Sequence, residues 1–368
     1  MLALNGMSVT RPAGLSEAVS LSGLSTLGVG GPARYYVRAG SAESAAAAAA
    51  WAFAEGLPLL VLGGGSNLVV SDDGFPGLVL HLLVRGVDAV NADGAVEVSA
   101  GAGEPWDGLV ERAVASGWAG VECLSGIPGL VGATPMQNVG AYGQDVSETI
   151  SRVRVLDLRT GVPEELTGAD CRFAYRDSRF KREDRGRYLI LGVTYRLRPG
   201  GPPSIKYAEL ERHLDTQGIA TPTLADTRRA VIDVRRRKSM VIDPDDPNRR
   251  SVGSFFMNPI VSAGEAQRIE AELRTDGTLA PGDTMPGYPA AGGRRKLSAA
   301  WLIERAGLHR GYRRGNAGIS TNHTLAIVNC GGATAAEVVA LAREIRDRVR
   351  DRFGVTLVPE PVFVNAEL

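Results

Sequence analysis

Leu62-Gly63-Gly64-Gly65-Ser66-Asn67-Leu68 follows an apolar run, Leu57 to Leu62, that reads as a buried strand. Three glycines without Cβ atoms let the backbone turn tightly and let its N–H groups approach a ligand closely. Ser66 and Asn67 add side-chain hydrogen-bonding groups. Consecutive N–H groups aimed into one concavity form an anion nest, most often for a phosphate. A Gly-rich hairpin turn accounts for the same residues equally well. The stretch does not fit the dinucleotide pattern G-x-G-x-x-G, so it does not indicate a Rossmann site.

A second segment shifts the balance toward a ligand. Ser125-Gly126-Ile127-Pro128-Gly129-Leu130-Val131-Gly132-Ala133-Thr134-Pro135-Met136-Gln137-Asn138-Val139-Gly140-Ala141-Tyr142-Gly143 is uncharged and built largely from small residues. A solvent-exposed loop carries more charge, and a core helix does not tolerate this density of Gly and Pro. Small residues here imply backbone lying against something large and flat. Two such segments on one chain point to a cofactor with a diphosphate and an extended ring system.

The bulk numbers suit an ordinary globular chain of two or three domains: 368 residues, 44% hydrophobic, 22% charged. Its 41 basic and 41 acidic residues cancel, so no global field favours nucleic acid or an anionic membrane. Cys123, Cys171 and Cys330 are scattered, with no metal-ligand spacing, and read as reduced thiols of a cytosolic protein. No metal is expected. No stretch is apolar enough to span a bilayer, and no signal peptide is evident.

Residues up to Ser22 show little periodicity and read as a loose extension. From Ala33 the pattern is strand (Tyr35–Val37), helix (Ser44–Gly56), strand (Leu57–Leu62) and strand (Leu78–Leu80). A second region alternates at Ala95–Ala100, forms a helix from Pro105 to Ser116, and continues with strands at Val153–Leu158 and Tyr188–Leu197. A helix from Leu224 to Arg236 closes it. Pro244-Asp245-Asp246-Pro247 marks a boundary. Beyond it, Ser262-x-x-Glu265 and Thr334-x-x-Glu337 are capping boxes. The second opens a helix with an apolar stripe of Val338, Leu341, Ala342, Ile345, Val349 and Phe353, stopped by Gly354. Val355–Val358 and Val362–Val364 read as strand-like pieces.

Four places carry candidate chemistry, each with a plainer alternative. Arg176, within Tyr175-Arg176-Asp177-Ser178, has the planar fork that clamps a carboxylate; the alternative is a structural Arg176–Asp177 surface cluster. Ser254, beside Phe255 and Phe256, has a hydroxyl able to pass a proton in a dry pocket; the alternative is a turn serine. Glu360 lies between Pro359 and Pro361, which fixes a carboxyl that is either paired or desolvated; the alternative is an exposed edge turn. Arg235-Arg236-Arg237-Lys238 ends a helix, where cations complement the dipole without any ligand. Lys238 is the candidate there for a diphosphate partner.

Taken together these motifs resemble the UDP-N-acetylenolpyruvoylglucosamine reductase family, in its long-loop class. The match is carried by the Leu62–Asn67 loop, Pro128-Gly129-x-x-Gly132-x-x-Pro135-x-Gln137-Asn138-x-Gly140-Ala141-Tyr142-Gly143, Tyr175-Arg176-Asp177-Ser178-x-Phe180-Lys181, Gly253-Ser254-Phe255-Phe256-x-Asn258-Pro259 and Pro359-Glu360. They occur in family order from Leu24 to Val364.

The resemblance implies an α+β chain: a two-lobed FAD-binding fold of the vanillyl-alcohol-oxidase (PCMH) type plus a C-terminal α+β substrate-binding domain. The implied division is 1–22 extension, 23–85 first lobe joined by 359–368, 86–240 second lobe, and 241–358 substrate-binding domain. FAD is expected to be noncovalent, because the first loop holds no histidine, and NADPH is the implied hydride donor. Gly63, Gly64, Gly65, Ser66 and Asn67 would hold the diphosphate. Ser125, Gly126, Ile127, Pro128, Gly129, Gly132, Ala133, Asn138, Gly140, Ala141, Tyr142 and Gly143 would line the ring.

By the same resemblance, Ser254 is the proton donor, and Arg176 with Glu360 polarises the substrate carboxylate. Tyr207, Lys238, Asn258 and His323 are the implied substrate contacts. The implied setting is a cytoplasmic, monomeric enzyme of peptidoglycan precursor synthesis acting on a nucleotide sugar, with no nucleic acid or membrane partner. Two other readings fit fewer of these residues: a flavin oxidase of the same superfamily, and a nucleotide-sugar-binding regulator that keeps the fold without turnover.

Overall fold

The computed structural model describes residues 10–368. The chain forms two compact units. The first holds the N-terminal residues to Ser20, Pro32–Gly65 and Gly74–Asp243; the second holds Leu21–Gly31, Ser66–Asp73 and Pro244–Leu368.

In the first unit, four strands run in the order Ser16–Ser20, Pro32–Ala39, Phe75–Leu82, Leu59–Leu62. The last three are parallel, and parallel neighbours need a crossover. The helix Ala42–Ala54 supplies it and packs Ala45, Ala48, Ala49, Trp51 and Ala52 onto the sheet core. Its alanines allow a close approach of helix to sheet. Ser41 caps it in a box with Ser44, so the helix begins at Ala42 and not at Ser44. The expected loose extension is a strand over Ser16–Ser20, antiparallel to Pro32–Ala39. Four of its five side chains are exposed, so no apolar alternation announced it. Residues 1–9 of that extension lie outside the described residues.

A larger antiparallel sheet follows, ordered Pro163–Thr167, Ile150–Asp157, Tyr188–Pro199, Ala95–Gly101, Val87–Ala92. The helix Trp106–Ala115 buries Trp106, Leu109, Val110 and Ala113 in its core. Pro105 is the residue before this helix, at ψ 125°, where a missing N–H is no loss. The helices Ala208–Thr216 and Leu224–Arg237 pack a small satellite core around Cys123. The first of these carries only two buried leucines, Leu210 and Leu214, too short a stripe to read from sequence.

In the second unit, Ser251–Ser254, Ala326–Asn329, Ala317–Ile319 and Arg313–Arg314 form one sheet. The helix Ala335–Phe353 lies in the same core. Thr334 and Glu337 box its start, and Gly354, at φ 71°, ends it. Asp72 adds a second cap, accepting the N–H groups of Ala335 and Ala336 at 2.8 and 3.0 Å. Val362–Val364 pairs in parallel with Leu68–Val70. Both of these strands belong to the second unit. Val355–Val358 is irregular, although Val355 and Leu357 are buried.

Candidate active site

In the first unit the two glycine-rich segments meet. Leu59–Leu62 delivers the first of them at its C-terminal end, where ligands of open parallel sheets gather. A Cβ added to Gly64 would lie 2.8 Å from the Cα of Gly129, so the two backbones touch with no room for a side chain. The second segment is pinned from behind. Trp106 N–H donates to Gly129 O (3.0 Å), Val131 N–H to Glu104 O (2.9 Å) and Gly132 N–H to Ala102 O (2.9 Å). Gly126 N–H donates to Asp107 Oδ1 at 2.6 Å. Arg228 closes on the same carboxylate through both Nη atoms, at 2.6 and 3.0 Å. Burial pushes the Asp107 carboxyl up, but the Arg228 and Gly126 hydrogen bonds outweigh it and hold it below the usual carboxylate range.

What this leaves facing outward is a half-buried ridge, Ile127-Pro128-Gly129-Leu130, beside the exposed Gly64. Uncharged backbone-lined surface next to a glycine turn fits a diphosphate carrying a flat ring. Not every expected residue faces it. Ser125 is fully buried, its hydroxyl donating to Glu122 O at 2.7 Å. Asn138 is buried, and its amide donates to Ala174 O (3.0 Å) and accepts from Ser147 N–H (3.1 Å). These two shape the wall from within.

His81 was invisible to sequence reading of the first loop. Parallel pairing sets it opposite Leu62, one residue before the glycines. Its Nδ1 lies 2.7 Å from Tyr36 Oη. Burial and the neighbouring Arg38 lower its pKa, so it is neutral near pH 7. The signal was strand register, which a single sequence does not display.

Arg176 anchors the far end of the second segment. Its Nη1 donates to Asn138 O at 3.4 Å and pairs with Asp145 at 3.3 Å, and its Nη2 donates to Gly140 O. Lys181 in turn donates to Arg176 O at 2.9 Å. Asn138, Tyr142 and Arg176 all hold left-handed backbone, at φ 47°, 50° and 54°. Asn tolerates this, but Tyr and Arg are strained there, a condition that clusters at functional sites. Tyr142 meets Tyr207 edge-on at 5.5 Å, and burial pushes its hydroxyl up to about 12. Tyr207 is the N-cap residue of the helix Ala208–Thr216. Lys238, the C-cap of the helix Leu224–Arg237, bonds Glu209 at 2.5 Å. Gly143 and Ala133 are exposed, while Gly132, Gly140 and Ala141 are half-buried.

The second unit brings together another set. Ser254, half-buried, ends its strand opposite Ala326. Phe255 N–H donates to Leu325 O (2.7 Å), and Phe255 O accepts Glu360 N–H (2.9 Å). Glu360 is thus tied by its backbone to the residue after Ser254. Asn67 Nδ2 donates to Glu360 O at 3.4 Å, and Asn67 O accepts Val362 N–H at 2.9 Å. Ser66 is half-buried beside it in sequence. Phe255 and Phe256 are buried in the core of this unit. Asn258 Oδ1 accepts Ala299 N–H at 2.9 Å, which fixes the amide at a helix start. His323 O accepts Ala326 N–H at 3.1 Å, placing His323 at the same strand end as Ser254.

No group of three or more metal-ligating side chains occurs among the described residues, and no helix among them is long and apolar enough to cross a membrane.

Comparison with known proteins identifies the family. Residues 33–167 match an FAD binding domain, and residues 245–364 match the C-terminal domain of UDP-N-acetylenolpyruvoylglucosamine reductase. The chain is 50% identical over 353 residues to the UDP-N-acetylenolpyruvoylglucosamine reductase of Thermobifida fusca, covering 95% of this chain and 98% of that one. It is 48% identical to the reductase of the same name from Saccharopolyspora erythraea, covering 95% of each. The crystal structure of UDP-N-acetylenolpyruvylglucosamine reductase from Thermus caldophilus superimposes with a TM-score of 0.60 at 27% identity, over 95% of this chain and 98% of that one.

Proposed function

The chain belongs to the UDP-N-acetylenolpyruvoylglucosamine reductase family of FAD-dependent oxidoreductases, and from that premise we propose its reaction. It reduces the enolpyruvyl group of UDP-N-acetylglucosamine enolpyruvate to the lactyl ether, giving UDP-N-acetylmuramate, with NADPH as hydride donor. Under this reading it serves peptidoglycan precursor synthesis in the cytoplasm, as a monomer on a small-molecule substrate. The observation that supports the reading is the backbone hydrogen bond from Glu360 N–H to Phe255 O, which brings the Glu360 backbone against the residue after Ser254.

FAD, when bound, supplies the hydride chemistry. The exposed Gly64, with Gly63 and Gly129 beside it, would hold its diphosphate against backbone, and Ile127 to Leu130 would give an apolar wall that keeps water away. Hydride arrival at C3 of the enolpyruvyl group leaves negative charge on C2 and the attached carboxylate. Ser254 donates its hydroxyl proton to C2. A serine is a weak acid in water, but the carbanion is a strong base, so a neutral donor suffices. Arg176 holds the carboxylate and stabilises the charge it gains. Glu360 helps in its protonated or hydrogen-bonded form, since a bare carboxylate would repel that charge. Tyr207 covers the substrate, and Lys238, Asn258 and His323 contact its nucleotide diphosphate, with Lys238 exchanging Glu209 for phosphate oxygens.

The test is anaerobic. NADPH should bleach the flavin spectrum of the purified protein, and UDP-N-acetylglucosamine enolpyruvate should restore it with formation of UDP-N-acetylmuramate. Bleaching reversed only by oxygen would replace this reading with a flavin oxidase. A protein that takes up no FAD would overturn the cofactor assignment.

A further inference from the structure

The helix Leu224–Arg237 ends in four consecutive cations with Lys238, and they are not equivalent. Arg236 and Arg237 are exposed and complement the helix dipole. Arg235 is turned inward and only 7% exposed. Its Nη2 donates to Met240 O at 2.6 Å, and its Nε is buried with no hydrogen-bond partner. That nitrogen lies against the cofactor loop: a Cβ on Gly126 would sit 3.4 Å from it. Among the described residues no carboxylate pairs with Arg235. The acid whose charge reaches it is Asp107, already closed by Arg228 and by Gly126 N–H. Tyr142, the other titratable neighbour, stays protonated near neutrality. Asp107, Arg228 and Arg235 together leave one positive charge behind the loop Gly126–Gly129, and Glu111, 3.8 Å from Arg228, is 70% exposed and screened by solvent.

A buried guanidinium without a carboxylate is costly, because desolvation is not repaid by a paired charge. Burial lowers its pKa, yet an arginine does not lose its proton near pH 7. The cost persists unless an anion arrives within reach of its field, which is weakly screened in the interior. Two electrons and one proton, the content of a hydride, give a neutral ring one negative charge. We propose that Arg235 is the fixed positive charge that stabilises the FAD ring in its two-electron-reduced form, acting through the Gly126 backbone and not by direct contact. The inference rests on the FAD assignment above.

The test is a spectroelectrochemical titration of the FAD-loaded full chain at pH 7. Arg235→Gln should shift the reduction equilibrium at least tenfold toward the oxidised form, which for two electrons is about 30 mV. Arg235→Lys, which keeps the charge, should stay within threefold of the unsubstituted protein. Asp107→Asn keeps an acceptor for Gly126 N–H but removes the opposing charge, and should shift the equilibrium the other way. This variant decides the matter if Arg235→Gln does not fold. An unchanged equilibrium in Arg235→Gln, an equal fall in Arg235→Lys, or no opposite shift in Asp107→Asn would overturn the proposal. Failure of the unsubstituted chain to bind FAD would instead remove the cofactor reading beneath it.

Discussion

Arg228 and Asp107 close a two-pronged ion pair, 2.6 and 3.0 Å, between residues 121 apart in sequence. The same Asp107 oxygen that takes the shorter bond also takes Gly126 N–H, so one carboxylate holds a helix to the cofactor loop. Asp107→Ala should destabilise the chain by about 1–2 kcal/mol, since the pair is partly exposed, and should loosen FAD binding. The pH dependence follows from the lowered folded pKa of Asp107. Its contribution is fully present above the unfolded value of about 3.9 and is lost as pH falls through the folded value. Thermal melts should therefore show the Asp107→Ala penalty at pH 6 and a shrinking one in strong acid.

Gly64 touches the Gly129 backbone, whereas a Cβ on Gly63 would find only Leu130 at 4.0 Å. Gly64→Ala should cost about 1–3 kcal/mol, the scale of overpacking against atoms that cannot yield, and should release FAD. Gly63→Ala should stay within about 0.5 kcal/mol. Chemical denaturation of the two variants side by side checks the difference.

Ser254→Ala should leave flavin reduction by NADPH intact and slow the substrate-driven reoxidation by at least ~10²-fold, the scale of a positioned acid. Stopped-flow traces of the two half-reactions separate these. Equal slowing of both would remove Ser254 from the donor role.

Arg176 spends its planar fork on Asn138 O, Gly140 O and Asp145 while serving as the proposed carboxylate clamp. A lysine cannot reproduce that geometry. Arg176→Lys should lower kcat/KM by ~10²-fold or more, and steady-state kinetics would show it. Near-normal turnover would refute the clamp.

Cys123 and Cys171 are fully buried, and burial pushes each thiol up to about 12. At pH 8 roughly one in 10⁴ of each is thiolate, so a disulfide reagent should label only Cys330 in the folded protein and all three thiols in denaturant. The unfolded chain ionises these thiols above about pH 8.5 while the folded chain does not. Stability should therefore fall as pH rises past that point.

The parts of the site legible in the sequence were those written locally. Glycine density announced both glycine-rich turns, and the prolines around Glu360 announced a held backbone, which the structure ties to Phe255. The capping boxes at Ser262 and Thr334 announced helix starts that the structure places there. What stayed hidden depends on pairing across distance. His81 reaches the first loop only through strand register, and Asp107 meets Arg228 only once two helices pack. Ser16–Ser20 is a strand held by backbone bonds with its side chains in solvent, so hydrophobic period could not reveal it. The inward turn of Arg235 among outward-facing cations depends on packing that the run Arg235–Lys238 does not encode.

The second unit is assembled from Leu21–Gly31, Ser66–Asp73 and Pro244–Leu368, and this interleaving sets the order of events on the ribosome. Its first two pieces leave the exit tunnel early, but Leu68–Val70 cannot acquire its partner strand until Val362–Val364 is made. At about 5–20 residues per second, those apolar residues wait roughly 15–60 seconds. Val69, fully buried in the finished core, spends that interval uncovered. Newborn chains stalled between the two strands should be the species that chaperones hold, and a gene cut at Pro244 should yield neither half of the second unit in folded form.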